Sequence, residues 1–517
     1  MREPPGAGTP GPRPTDSILD FTARRGHWLA LPAGALLAVA FAPIGAWPLA
    51  FLCLATLMLL WDGASPRAAA WRGFLFTSGT FLAGTYWLYH SIHLIGQAPV
   101  WIALALMLGM VAIMGSYTAL LGYAVARWGV AAGPVRYLAL LPAGWVLTEW
   151  LRGWFLSGFP WLALGYSQLD TALASYAPLG GAYAVSLASA VTAGALVMLL
   201  IGTRRSRAIA IAALLFTWGC AFALGRVEWT RPRGTEVTVA LVQGAVPQSM
   251  KWVPGQLEHT MNLYLDLTRP HLGAGIIVWP ESAIPSLESN VRGYLEHVSA
   301  LAQSRGSSLV TGLVRRDPQS GAYYNAMAAW SPGEQWYYKR RLVPFGEFFP
   351  VPAAVRDWMR LMNLPYSDFA AGADQQRPLA AGGEALAPTI CYEDAYGVEQ
   401  LALARESTLL VNVTNDAWFG DSSAPHQHLD ISRMRSLETG RPMLRATNDG
   451  VTALIAHDGS VQGQLPQFRP GVLTGTVEPR TGFTPYLRAG NWPVLALLWV
   501  GLVAGFRRPR ARDGADS

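Results

Sequence analysis

The chain has 517 residues, of which 51% are apolar and only 14% charged, against about 25% charged in an ordinary soluble protein. That composition excludes a purely soluble enzyme and implies a membrane protein. The net charge of +6 marks no nucleic-acid surface, because residues 235–488 carry 20 Lys+Arg against 24 Asp+Glu; the remaining 19 of 39 basic and 9 of 33 acidic residues lie elsewhere, in loops where they orient helices.

Residues 1–27 read as a cytoplasmic tail. Its Gly/Pro-rich start, before Asp16, predicts disorder, and it lacks the apolar core and cleavage site of a removable signal peptide. Apolar stretches then follow at 28–41, 46–61, 73–94, 100–126, 135–151, 177–201 and 208–224, predicting a membrane domain of seven helices over 28–226. The first two are short, and Ala42-Pro43-Ile44-Gly45 between them allows either two spans or one re-entrant hairpin. An eighth helix is predicted at 492–506, before a cytoplasmic tail at 507–517. If the chain starts inside, the inner loops collect Arg24, Arg25, Arg67, Arg72, Arg127, Arg136, Arg204, Arg205, Arg207, Arg507, Arg508, Arg510 and Arg512, while short outer loops are nearly free of Lys and Arg. The block 235–488 then lies outside.

That block reads differently. Strand-like runs at 237–242, 275–279, 308–312, 326–330, 387–391, 409–413, 451–456 and 472–477 alternate with helical patterns at 257–267, 291–303, 398–404 and 428–437. Alternation over this length implies a layered α/β or α+β domain. The block shows no internal repeat and no dinucleotide-type Gly-rich loop.

Three residues in it stand out chemically. Cys391 ends an apolar run, Ala387-Pro388-Thr389-Ile390-Cys391, and the other cysteines, Cys53 and Cys220, fall in apolar segments assigned to the bilayer. A thiol left unpaired on the oxidising side asks for a chemical reason. The chain holds only two lysines, Lys251 and Lys339, and uses arginine for every other basic residue, so a lysine marks a place that needs a compact ammonium. Glu281 follows the apolar strand in Trp279-Pro280-Glu281-Ser282. A thiolate nucleophile, a carboxylate to move its proton and an ammonium to hold that carboxylate or an oxyanion make a workable set. Taken singly, a lone cysteine is more often a small buried hydrophobe, a strand-end glutamate is usually solvated, and a lysine beside two arginines usually lies on the surface. Only the combination favours catalysis.

Other features are weaker. His426 and His428 could be two metal ligands, but no third ligand stands at zinc-like spacing, and both read as ordinary polar residues. Glu149 and Arg152, three apart on a helix, read as a local ion pair. The stretch 154–161 is too broken to span and too aromatic for a free loop; it reads as an interfacial aromatic belt or a lining of a lipid entrance.

At these residues the chain resembles the bacterial apolipoprotein N-acyltransferases, whose outside domain belongs to the nitrilase (carbon–nitrogen hydrolase) superfamily. The likeness runs almost the full length. It includes Pro247-Gln248-Ser249-Met250-Lys251-Trp252, Trp279-Pro280-Glu281-Ser282, Tyr338-Lys339, Leu342-Val343-Pro344-Phe345-Gly346-Glu347, Ile390-Cys391-Tyr392-Glu393, Asn415-Asp416-Ala417-Trp418-Phe419-Gly420, Ala446-Thr447-Asn448, and, in the apolar half, Glu149-Trp150-Leu151-Arg152-Gly153-Trp154 and Gly158-Phe159-Pro160-Trp161. Pro280, where some relatives carry another residue, is a small departure outside the triad.

The resemblance implies a polytopic base of about eight helices in the bacterial inner membrane, carrying an extracytoplasmic α-β-β-α sandwich. It implies a two-step acyl transfer from a phospholipid, typically phosphatidylethanolamine, through a Cys391 thioester to the α-amino group of a lipoprotein's N-terminal S-diacylglyceryl cysteine. Glu281 matches the family base, Lys339 the stabilising lysine and Glu347 a further essential acid. Tyr392, Glu393, Asn325, Trp252 and Trp418 match positions that shape or gate the pocket, with Phe345 and Phe419 in the same motifs. Membrane lipids and diacylglyceryl lipoproteins are the partners implied, and no metal, cofactor or nucleic acid.

Two other classes share features. A membrane-tethered amidase or nitrilase-type hydrolase would use the same triad with water as acceptor. A transporter with a dead outer domain would need charged or broken helices at mid-membrane, and these spans are nearly free of charge away from their ends. An attached sugar-transferase domain, present in some relatives, is not expected.

Overall fold

The computed structural model describes residues 14–253, 255–330, 333–344, 346–348 and 369–506. Helix stands at each apolar segment read from the sequence. The first runs Pro14–Leu37, so it starts ahead of the expected boundary at residue 28 and takes in part of the presumed tail. Pro48–Leu60, Pro66–Gly84, Val100–Trp128, Leu141–Arg152, Ala177–Ile201, Arg204–Leu224 and Trp492–Gly505 follow. Among the described residues, three stretches are long and apolar enough to cross a membrane, Val100–Trp128, Ala172–Ile201 and Arg204–Leu224, while Pro48–Leu60 and Trp492–Gly505 are apolar but shorter. Trp101, Leu120, Leu215, Phe216 and Trp499 point outward and are largely exposed, as a lipid-facing surface requires and a water-facing one would not tolerate.

Inside the bundle, small residues let backbones touch. A Cβ at Gly34 would lie 1.8 Å from the Phe76 carbonyl oxygen and one at Gly79 2.2 Å from that of Leu31, so helices Pro14–Leu37 and Pro66–Gly84 pack as only glycine permits. The Thr80 hydroxyl donates across this contact to Gly34 O at 3.0 Å.

The α/β part contains two six-stranded sheets. In spatial order the first is Gly471–Val477, Val237–Gln243, Ile276–Trp279, Ser308–Arg316, Tyr323–Trp330 and Glu334–Tyr338, with its only parallel pairs on either side of Ile276–Trp279. The second is Val461–Gln464, Ala453–Ile455, Met443–Thr447, Leu409–Thr414, Glu384–Ile390 and Leu379–Ala381, with Leu409–Thr414 parallel to both neighbours. Alternation sorts the side chains. Val239, Leu241, Ile276 and Val278 meet Leu386, Ile390, Val411 and Val413 between the sheets, while Ala240, Val242, Ile277 and Trp279 pack under Tyr264, Val291, Leu295 and Val298 of helices Gln256–Thr268 and Glu288–Ser304. Burial on both faces explains the uninterrupted run Ile-Ile-Val-Trp. Helices Gly397–Arg405 and Ala424–Thr439 cover the other sheet, completing an α-β-β-α sandwich.

Helix Ala424–Thr439 also packs against Ala177–Ile201 of the helical part, so both its sides are covered. Gln427 Oε1 accepts from the indoles of Trp161 at 2.7 Å and Trp87 at 3.2 Å. Glu438 Oε1 accepts from Ala182 N–H at 2.7 Å and from Arg435 at 3.0 Å. Glu149 and Arg152 form the expected ion pair at 4.0 Å, and each has further partners: Glu149 accepts from the Trp145 indole and Leu164 N–H, both at 2.8 Å, and Arg152 donates to Trp161 O and Leu162 O.

The sequence reading missed strand Met443–Thr447, at the centre of the second sheet, because a buried arginine interrupts its apolar pattern. Arg445 donates to Asn412 Oδ1 at 2.8 Å, Ser432 Oγ at 2.9 Å and Asp416 Oδ2 at 3.0 Å. His428 stands in the same network, 3.0 Å from both Asp394 Oδ1 and Asp416 Oδ1. Burial and Arg445 work to lower the imidazole, yet the two carboxylates hold it up at about 9. Histidine ordinarily titrates near 6.5, so the stability from this pairing is fully present below about pH 6.5 and is lost as pH rises through about 9. The apparent Tm in detergent is expected to fall between those values, and His428→Gln to flatten the fall while lowering Tm at the acid end.

Candidate active site

Three strand ends converge where the sheets face each other. Strand Ile276–Trp279 delivers Glu281, the end of Glu334–Tyr338 delivers Lys339, and Glu384–Ile390 delivers Cys391. Cys391, which is buried, opens a tight turn, Cys391–Ala395, with φ of +54°, a left-handed conformation that costs a non-glycine residue about 1–3 kcal/mol.

The turn is held from several directions. Glu393 folds back, its Oε2 accepting from Ile390 N–H at 2.8 Å and its Oε1 from Arg340 N–H at 2.7 Å and Arg341 N–H at 3.1 Å. It thereby ties the cysteine turn to the segment that follows Lys339. Asn412 Nδ2 donates to Cys391 O at 3.0 Å, and the Tyr392 hydroxyl donates to Leu342 O at 2.8 Å.

Glu281, Lys339, Glu347 and Asn325 form one cluster. Lys339 Nζ lies 2.9 Å from Glu347 Oε1 and 3.4 Å from Glu281 Oε1. Asn325 Nδ2 donates to both carboxylates, at 2.6 Å to Glu281 and 2.8 Å to Glu347. The second oxygen of Glu281 accepts Asn415 N–H at 2.9 Å, and that of Glu347 accepts Val343 N–H at 2.8 Å. The backbone below Glu281 is equally constrained. A Cβ at Gly312 would lie 2.6 Å from Glu281 Cα, so only glycine lets the two strands approach this closely.

Burial works to lower the Lys339 ammonium, but Glu347, Glu281 and Cys391 hold it above its ordinary value, so it stays a cation. Burial pushes the Cys391 thiol up and the Glu281 charge adds to this, with Lys339 opposing. Burial thus favours the neutral thiol, whose proton a base must take before sulfur can attack, and the Glu281 charge lies close enough to act on it.

Of the residues singled out in the sequence, Glu281, Lys339, Glu347 and Asn325 share hydrogen bonds, the charges of Glu281 and Lys339 act on Cys391, and Tyr392 and Glu393 occupy its turn. The aromatic residues belong to the surroundings. Trp252 is 54% exposed, Trp418 is 38% exposed, and Phe419 packs edge-on against Trp87 of the helical part at 4.9 Å. Phe345 lies outside the described residues. Sequence reasoning gave no role to Asn412, Asn415, Gly312 or Lys251; of these Lys251 carried a signal as one of two lysines, and Asn415 as the first residue of a matched motif.

Two family models match in tandem: residues 33–195 match the apolipoprotein N-acyltransferase N-terminal domain, and residues 238–486 match the carbon-nitrogen hydrolase domain. The apolipoprotein N-acyltransferase of Methylococcus capsulatus is 43% identical over 95% of this chain and 97% of its own length. This chain belongs to the apolipoprotein N-acyltransferase family. The same name goes with relatives from Pseudomonas putida, 43% identical over 93% of this chain and 97% of theirs, and Chromobacterium violaceum, 41% identical over 92% and 93%.

Within that family's architecture, Lys339 bridges two acids across a short distance, which a guanidinium cannot do without displacing one of them. Lys339→Arg is therefore expected to lose as much activity as Lys339→Ala, more than about 100-fold in the rate of acyl-enzyme formation; retention of most of the rate would show that charge alone suffices.

Proposed function

We infer that this chain N-acylates lipoproteins, moving a fatty acyl chain from a phospholipid to the α-amino group of an N-terminal S-diacylglyceryl cysteine by way of a thioester on Cys391. The observation that carries the reading is a buried cysteine on a strained strand-end turn, within reach of the charges of the paired Glu281 and Lys339, in a sandwich seated on lipid-facing helices.

In the first half-reaction Glu281 takes the thiol proton as sulfur attacks the ester carbonyl. Lys339 donates to the oxyanion, and collapse expels the glycerol oxygen, which takes the proton from Glu281 and leaves as lysophospholipid. In the second, the neutral α-amine attacks the thioester, Glu281 takes a proton from the attacking nitrogen, and the departing sulfur recovers it. The thioester conserves the ester's free energy, so no nucleotide is consumed. Phosphatidylethanolamine is the donor we assign, and Glu347, Asn325 and Glu393 keep Lys339 and the cysteine turn aligned.

We place the α/β part on the outer face of the inner membrane, on a base crossed by eight helices with both termini inside. Several contacts support a common inner end. Gly129 bridges Phe506, Arg136 Nη2 donates to Trp61 O at 3.4 Å, and Arg72 donates to Leu60 O, so Arg72, Arg127 and Arg136 gather at one end of the bundle. Leu224, Gly84 and Arg152 lie toward the other, beside the sandwich. A reporter active only outside the cytoplasm is expected to work when fused after Arg226 and to fail after Arg205; the reverse pattern would invert this orientation.

The transferase and a lipid-cleaving hydrolase differ in the acceptor. With phospholipid alone, the intact mass of the protein is expected to gain one acyl chain, lost in Cys391→Ser, and the adduct to clear on adding a diacylglyceryl-cysteine peptide with a free amine but not its acetylated form. Rapid release of free fatty acid without an amine would instead favour the hydrolase.

A further inference from the structure

The loop that carries Trp252 is built around the chain's second lysine. In the short helix Gln248–Lys251 and just beyond it, Met250, Trp252 and Val253 are exposed, whereas Lys251 among them is only 1% exposed. An ammonium is costly to bury without partners. Lys251 Nζ donates to the main-chain carbonyl of Glu281 at 3.3 Å; burial lowers the ammonium to about 8, with the Glu281 and Asp449 charges opposing.

A second tether leaves the same loop. Gln248 Oε1 accepts from Asn415 Nδ2 at 2.9 Å, and Asn415 N–H in turn donates to Glu281 Oε2 at 2.9 Å. Glu281 is thus gripped at its carbonyl by one end of the loop's helix and at its carboxylate, through Asn415, by the other. The grip falls where the backbone needs it, because Ser282 follows with φ of +46° and Gly312 crowds Glu281 from below.

We propose that Lys251, assisted by Gln248, is a positioning residue that sets the aim of Glu281 and ties it to the exposed loop tip of Met250, Trp252 and Val253. The inference rests on Glu281 acting as the base. It accounts for lysine at this position in a chain that otherwise uses arginine: a compact ammonium reaches a carbonyl under the turn, where a planar guanidinium would need more room.

The test is single-turnover acylation of the full chain by phospholipid in mixed micelles. The amplitude counts folded, competent sites and the rate constant reports their alignment. Lys251→Met, which keeps the apolar stem, is expected to retain the amplitude and lower the rate constant about 100-fold. Gln248→Ala cuts the other tether at a partly exposed residue and is expected to lower it about 10-fold, one hydrogen bond's worth. It decides the matter if the lysine variant does not fold. A reduced amplitude with an unchanged rate constant would mean a structural role only and overturn the proposal, as would wild-type rate constants in the folded variants. Glu281→Gln is run alongside: if it still acylates, the assignment of the base fails first, whereas an inactive Glu281→Gln beside an unimpaired Lys251→Met removes the positioning role alone.

Discussion

Helix Ala424–Thr439 is sandwiched with one face on a sheet and the other on the apolar bundle, leaving only the partly exposed edge His426, Asp430, Arg433 and Leu437 toward water. A helix so placed would ordinarily be apolar all round. This one buries His428, Ser432, Arg435 and Glu438, and the arrangement holds because each has a partner: His428 between two aspartates, Ser432 with Asp394 and Arg445, and Arg435 with Glu438, which also accepts from the backbone of Ala177–Ile201. The enzyme domain is thereby fastened to a lipid-facing base by buried polar pairs that stand among the apolar contacts of Ala424, Ile431 and Met434 with the bundle's core. The same network runs through Arg445 and Asn412 to the carbonyl of Cys391.

The proposed reaction centre uses few cations. Both lysines of the chain end on Glu281, one beside its carboxylate and one under its carbonyl, while Glu347 and Asn325 complete the cluster. Such a set gains little from Coulomb attraction alone, because each charge has lost its water. What it provides is fixed geometry, with donors and acceptors already aimed before a substrate arrives, and this is the condition under which a polar site stabilises developing charge without rearranging.

Much of this was legible in the chain. Runs buried on both faces, such as Ile276–Trp279, announce themselves as apolar strands, and an unpaired cysteine in an arginine-rich, cysteine-poor sequence is conspicuous. Strand Met443–Thr447 was not legible, since Arg445 in its centre reads as a surface residue until Asp416 and Asn412 are seen beside it. The helix from Pro14 was missed for a similar reason: Asp16, Asp20, Arg24 and Arg25 make its first turns look like a tail. Lys251 was noticed but given no role, because the carbonyl it reaches is 30 residues away and backbone partners leave no trace in side-chain pattern.

The seating of Glu438 on Ala182 has a practical consequence. Cut from its base, the sandwich would present Gln427 without its two indoles, Glu438 without its backbone donor, and Tyr396 without the Gly158 carbonyl to which it donates at 3.1 Å. Water could replace those partners, but Ala395, Tyr396, Ala424, Ile431 and Met434, which pack into the bundle's apolar core, would be left bare, so the catalytic half is not a detachable module. Anyone seeking a soluble version for screening or crystallisation would have to redesign that face rather than shorten the chain.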